Sequence, residues 1–287
     1  MRERTIEQRR VSRVAPVLPV PGNDQVARRN LVLEPGRFAA VDPFLIMSED
    51  WFAAAGGFDP HPHRGIETVT FVLDGAVEHR DNRGHRSVIH AGDAQWMTAG
   101  RGIIHSERAH GGATAHTLQL WINLPSDRKM VEPRYQALRA ADMPVHRSGG
   151  AEIRIFSGTA GDQTAPTLNH WPITLLEIAV AAGAEATVDL AGADRGFLLA
   201  LTGHGRIGAR EEPIRAGEVA WLADADPSLP TELHLEADDA LRLLLWSGPR
   251  IREPVVARGP FIMSSMEEIA QAEADLRDGG FGPLEVE

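Results

Sequence analysis

Ala91-Gly92-Asp93-Ala94-Gln95-Trp96-Met97 returns, altered but aligned, as Ala216-Gly217-Glu218-Val219-Ala220-Trp221-Leu222. Two further pairs flank it in the same order. Upstream, an apolar run ending at Gly75 matches one ending at Gly203. Downstream, LQLWINLP from Leu118 matches LRLLLWSGP from Leu241. One such match is chance; three in order, at similar offsets, mark a duplicated unit. The runs themselves are short and apolar, with Gly, Pro and Asp between them, as in ETVTFVLDG, ITLLEIAVAAG and GEVAWLADAD. They read as strands, and many at close spacing give an all-β protein of sandwiches or barrels. One long helix is expected, from Ser264 to Arg277. Ser264 and Ser265 followed by Glu267 and Glu268 make a capping-box pattern, and Gly279-Gly280 closes it. The expected layout is a first barrel over 1–140, a second over 141–252, and an appended tail with the helix over 253–287.

Composition narrows the function. The chain of 287 residues is 43% hydrophobic and 24% charged, within the ordinary globular range. No run reaches the ~18 apolar residues of a membrane helix, and no apolar segment follows the basic MRERTIEQRR start, so neither a membrane span nor a secretory leader is expected. Net charge is −11 with scattered positive residues, which argues against direct nucleic-acid binding. Lys129 is the only lysine among 29 basic residues, a bias read as genomic composition. There is no cysteine, which fits a reducing cytoplasm and restricts any metal site to His, Asp and Glu.

That restriction gives Phe58-Asp59-Pro60-His61-Pro62-His63-Arg64-Gly65-Ile66-Glu67 its weight. Residues two apart on a strand share a face, so His61 and His63 point together, and Glu67 joins them if the strand continues. His105 and Glu107 repeat the spacing after the glycine-rich turn Thr98 to Gly102. Two such pairs on neighbouring strands can converge on one divalent ion and leave one or two positions open. Three imidazoles and a carboxylate suit iron(II), copper, nickel, manganese or zinc, and spacing does not choose among them. Glu67 is either a ligand or a carboxylate that orients a ligand histidine. His79, His85, His90, His110, His116, His146, His170, His204 and His234 are read as ordinary histidines. Arg64 is read as a solvated strand-edge arginine, and Trp96 and Met97 as packing. In the second repeat Arg195 stands where Glu67 does, Asp189 and Ala191 where the two histidines do, and Pro230 and Glu232 where His105 and Glu107 do. No metal is expected there.

His-x-His-x3-Glu, a strand, a glycine turn and a later histidine resemble the cupin metal motif. The turn Thr98-Ala99-Gly100-Arg101-Gly102 lacks the usual cupin proline, and Glu107 competes with Glu67 as the carboxylate ligand. That variation resembles the pirin family. HPHRGIETVTFVLDG, GHRSVIHAGDAQWMTAGRGIIHSE, LQLWINLP and EPVVARGPFIMSSMEEIAQAEADLRDGGFG look like pirin sequence, and the likeness is weakest between about Met143 and Leu244. The resemblance implies a bicupin of two jelly-roll-type barrels, with one iron(II) in the first, held by His61, His63, His105 and Glu107, and Glu67 outside that set. It implies a quercetin 2,3-dioxygenase-like enzyme: a flavonol and O2 as substrates, Glu107 as general base, carbon monoxide and a depside as products. The alternative it carries is a non-enzymatic, redox-sensing iron protein that acts through a protein partner. A monomer is expected of a tandem barrel.

Overall fold

The computed structural model describes residues 6–283; residues 1–5 and 284–287, the outer ends of the expected first and last segments, lie outside them. Among the described residues strands dominate, and the one long helix is Met266–Arg277. Among the described residues no helix is long and apolar enough to cross a membrane.

The chain divides into two compact units. One comprises Leu18–Ala141 together with the segment that starts at Ile251; the other comprises the segment ending at Val17 together with Asp142–Arg250. The histidine-rich unit therefore does not begin at the N-terminus, as a simple 1–140 layout expects. Val11–Pro16 instead lies antiparallel to Glu218–Leu222, and Glu7–Gln8 runs parallel to Pro230–Ala237. The tail is no appendage either, since it belongs to the histidine-rich unit.

The sequence repeat becomes a repeat of strand order. In the histidine-rich unit the sheet runs Ala94–Thr98, Ile66–Asp81, Ala115–Asn123, Phe44–Phe52, Val26–Leu33. In the other unit it runs Glu218–Leu222, Asp194–Thr202, Leu241–Pro249, Thr174–Val180, Ala151–Ser157. The three matched segments supply the same three adjacent strands in each. Alternation does the rest: residues facing inward are apolar, and the sheet closes over them. The interiors differ in kind. The second unit holds a continuous aliphatic core that includes Ile153, Leu176, Leu198, Leu235 and Leu243. The first buries His63, His79, His105, Glu107, Gln95 and Gln119 within it. Buried polar groups cost free energy unless partnered, so a cluster of this size in one barrel marks the site.

The C-terminal helix forms as its sequence suggests. The side chain of Ser265 accepts from Glu268 N, and Glu268 Oε2 accepts from Ser264 N at 2.7 Å, a reciprocal cap. Ile269 and Ala272 bury against Ile104, Phe261, Met263 and Phe281. Arg64 is what holds the helix. It is only 4% exposed, not solvated: Nε donates to Arg101 O at 2.6 Å, Nη1 to Asp275 at 2.7 Å, and its plane lies over Phe281.

The lone lysine is equally committed. Lys129 Nζ donates to Gly65 O, Asn123 Oδ1 and Ile262 O at 3.1, 2.8 and 3.0 Å. Three donors meet three acceptors, which a planar guanidinium would not do in the same space. Burial pulls its pKa down to about 8, against the pull of Glu268 and Glu253, so it keeps its proton at neutral pH. Lys129→Met strands these acceptors. We expect a loss of about 2–3 kcal/mol, read as a fall of roughly 5–10 °C in melting temperature, and Lys129→Arg should also destabilise.

Candidate metal centre

Strand Ile103–Ala109 lies between two others and fixes the site. On one edge it is antiparallel to Gly57–His63, with His105 opposite His61 and Ile103 opposite His63. On the other it is antiparallel to Ile66–Asp81, with His105 opposite Asp81 and Glu107 opposite His79. Directly opposed residues share a face. The register therefore gathers His61, His63, His105, Glu107, His79 and Asp81 on one side of three strands.

The structure brings His61, His63 and His105 together. Ring centroids are 4.8 Å apart for His61 and His63, 4.4 Å for His61 and His105, and 5.1 Å for His63 and His105. One nitrogen from each lies within 4.8 Å of the others. His61 is half-buried, while His63 and His105 are 1% and 0% exposed. Backbone carbonyls set the rings: His61 Nδ1 donates to Asp59 O at 2.7 Å, and His63 Nδ1 to Pro260 O at 3.3 Å. Each Nε2 then carries its lone pair into the cluster. His63 Nε2 and both nitrogens of His105 are buried with no hydrogen-bond partner among the described residues. Buried imidazole nitrogens cannot rest unpaired at no cost, so these two rings, with the half-buried His61 against them, fit a cation.

Electrostatics agree. Burial, with help from His61, lowers the pKa of His63 to about 3, although the Pro260 carbonyl opposes it. Burial, then His61, His63 and His79, drops His105 well below the usual value. Both are neutral at ordinary pH, the state that ligates.

Glu107 is fully buried, and burial raises its pKa against the pull of His79, Thr70, His61 and Gln119. It falls in a second group that could hold a metal, with His79 and His105. Glu67 belongs to neither group. Gly65 ends the first strand with φ +81°, a turn where an added Cβ would collide with Ile262 O. The alternation that would carry Glu67 onto the His61 face is broken there. Beyond the turn it is Thr70, an even position, that reaches Glu107, at 2.9 Å; Glu67 faces the other way and accepts from Thr98 at 2.7 Å.

His79 is the residue that the sequence reading passed over. It is fully buried, lies with its Nε2 3.4 Å from Asp81 Oδ2, and stacks on Tyr135 with centroids 4.4 Å apart. His79-x-Asp81 has the same two-residue spacing as the other pairs, a signal open to anyone who extended the strand. The site opens into a cavity of about 300 Å³, lined among others by Arg29, Phe58, His61, His63, Gln119 and Trp121. This is the lower end of the range for small-molecule sites, roughly 300–1,000 Å³.

The sequence pattern of the Pirin family matches residues 27–122, and that of the Pirin C-terminal cupin domain matches residues 175–282. The chain belongs to the pirin family. Its two barrels are cupins, and the fold is a bicupin. A putative quercetin 2,3-dioxygenase of Pseudomonas aeruginosa is 40% identical over 260 residues, covering 84% of this chain and 87% of that protein. A solved structure from Geobacillus kaustophilus is 47% identical, with a TM-score of 0.84, and the match covers 88% of this pirin and 100% of that chain. A quercetin 2,3-dioxygenase structure from Acinetobacter baumannii is 27% identical, with a TM-score of 0.85, over 96% of this chain and 99% of that one.

The lowered histidine values give this pirin a pH dependence when it is metal-free. A histidine whose folded pKa lies below its unfolded value contributes stability that is complete above about pH 6.5 and is lost as pH falls. From pH 6.5 to 5, His63 alone should remove about 2 kcal/mol. Melting of chelator-treated protein at the two values checks this, and His63→Phe should flatten the dependence.

Proposed function

We propose that this chain is a metal-dependent oxidoreductase that opens the ring of a flavonol-like substrate with O2, and that its ion is iron(II). The observation that carries the reading is the convergence of His61, His63 and His105, the last two fully buried with unpartnered nitrogens, beside an aromatic-walled cavity that His61 and His63 line. The related proteins named as quercetin 2,3-dioxygenases support it.

His61, His63 and His105 would hold the ion, with Glu107 as its fourth, anionic partner. When bound, the ion supplies Lewis acidity to a substrate hydroxyl and a redox centre for O2. The chain's own residues do the remainder. Phe58 and Trp121 offer flat apolar walls to a planar ring. Arg29, paired with Asp50 at 2.5 Å, places a positive group on the cavity wall, where a phenolate would be favoured. Glu107 sits in a dry setting that raises its basicity, and would take the proton from the substrate hydroxyl as general base. The overall change adds both oxygens of O2 to the flavonol and releases one carbon as carbon monoxide, leaving a depside, so atoms balance without another oxidant.

Iron-loaded protein incubated with quercetin should lose flavonol absorbance only in the presence of O2, and release about one carbon monoxide per flavonol, as the stoichiometry above requires. His63→Ala and His105→Ala should abolish both. Flavonol loss without O2, or in either variant, overturns the dioxygenase reading. Redox-dependent capture of a protein partner in the absence of turnover would favour a regulator instead.

A further inference from the structure

Glu107 is surrounded by donors. Its Oε1 accepts from Thr70 Oγ1 at 2.9 Å and from Gln95 Nε2; its Oε2 accepts from Gln119 Nε2. Thr70 and Gln95 are each 1% exposed and Gln119 is 8% exposed, so water does not stand in for any of them.

Neither amide is free to turn. Gln119 Oε1 accepts from the indole Nε1 of Trp121 at 3.3 Å, and an indole N–H can only donate. A flip would set its NH2 against that N–H. Gln95 Oε1 accepts from the hydroxyl of Tyr135 at 3.0 Å. Burial pushes that hydroxyl's pKa up, so it stays protonated and donating. Thr70 Oγ1 accepts from both amides at 3.3 Å, which commits its own hydrogen to Glu107. Every donor in this cage is therefore aimed by a partner behind it, and Tyr135 is itself steadied by its stack on His79.

The contrast with the histidines is the informative part. The inward nitrogens of His63 and His105 have no competing partner, whereas both oxygens of Glu107 are already engaged. Donors draw on the same lone pairs that a cation uses. A carboxylate so held is a weaker, more easily displaced ligand than a bare one.

We propose that Gln95, Gln119 and Thr70 are positioning residues that hold Glu107 as the exchangeable arm of the centre, kept apart from a firm three-histidine base. This rests on the metal-centre reading above. Its consequence runs against the usual effect of mutating around a metal ligand, which is to loosen the ion. Removing a donor here returns a lone pair to Glu107 and tightens the ion. It also lowers the reduction potential of bound iron, because a stronger anionic donor favours the ferric state.

The test uses the full chain with nickel(II) as a redox-inert probe, by titration calorimetry, and iron for potentiometry. Gln119→Met and Gln95→Met keep length and fill the space. Each should bind nickel(II) more tightly, by about tenfold, and shift the iron potential downward. Tyr135→Phe and Trp121→Phe, which only unlock the amides, should move both readouts the same way by less. In a Glu107→Gln background the glutamine substitutions should change nothing, because the arm they act on has lost its charge. Weaker nickel(II) binding in the folded variants, or an equal effect without Glu107, overturns the positioning role while leaving the metal centre intact. No nickel(II) or iron binding by the unaltered chain overturns the metal centre, and this inference with it.

Discussion

Strand Ile103–Ala109 is hydrogen-bonded on both edges, and the rest of the site depends on its register. It holds His105 opposite His61 on one side and opposite Asp81 on the other. A slip of one residue would turn His105 and Glu107 to the opposite face and bring Ile104 and Ser106 into the cluster. A register shift between His105 and Glu107 is absorbed on the Gly57–His63 edge alone, where Glu107 pairs with Phe58. On the Ile66–Asp81 edge the pairing stays regular. The centre thus gains a histidine trio from one side and a carboxylate with its cage from the other.

The barrel accommodates so much buried polarity because almost every group has a defined partner. Glu107 has three donors, each aimed by another side chain. Backbone carbonyls of Asp59 and Pro260 fix two imidazoles. Single exceptions are scattered, at Asn30 Oδ1, Trp96 Nε1 and Thr117 Oγ1 among others, but His63, His105 and His79 bring theirs together on adjoining rings. Buried polar groups elsewhere in proteins are nearly always satisfied, so a local cluster of exceptions marks chemistry rather than poor packing. The second barrel, built on the same strand order, fills the corresponding interior with leucine, isoleucine and valine. Duplication supplied the frame twice, and one copy spent its interior on a site.

The tail is part of that frame. Pro260 reaches His63, Ile262 accepts from Lys129, and Asp275 anchors Arg64. Arg64 and Gly65 follow directly on the His61–His63 pair, so the helix and its approach hold the end of that histidine strand from outside. Reading the lone lysine as composition bias and Arg64 as a surface residue missed this. Each is a long cationic side chain with at least one backbone carbonyl far along the chain among its partners, and carbonyls leave no mark in a sequence.

What the sequence by itself determined is whatever a local period can encode. Two-residue spacing put His61 with His63 and His105 with Glu107. Three ordered matches gave a duplicated β-fold, and paired serines and glutamates gave the helix start. What only the tertiary structure decided is what depends on where a strand breaks and which strand lies beside it. Gly65 interrupts the alternation and removes Glu67 from the histidine face, although its number suggested otherwise. Val11–Pro16 joins the far barrel because its edge pairs with Glu218–Leu222, a contact across some two hundred residues. His79, Gln95, Gln119 and Tyr135 gather around Glu107 from four different strands, and nothing in their own neighbourhoods announces it. Side-chain period is a property of one strand, whereas a site is a property of register between strands.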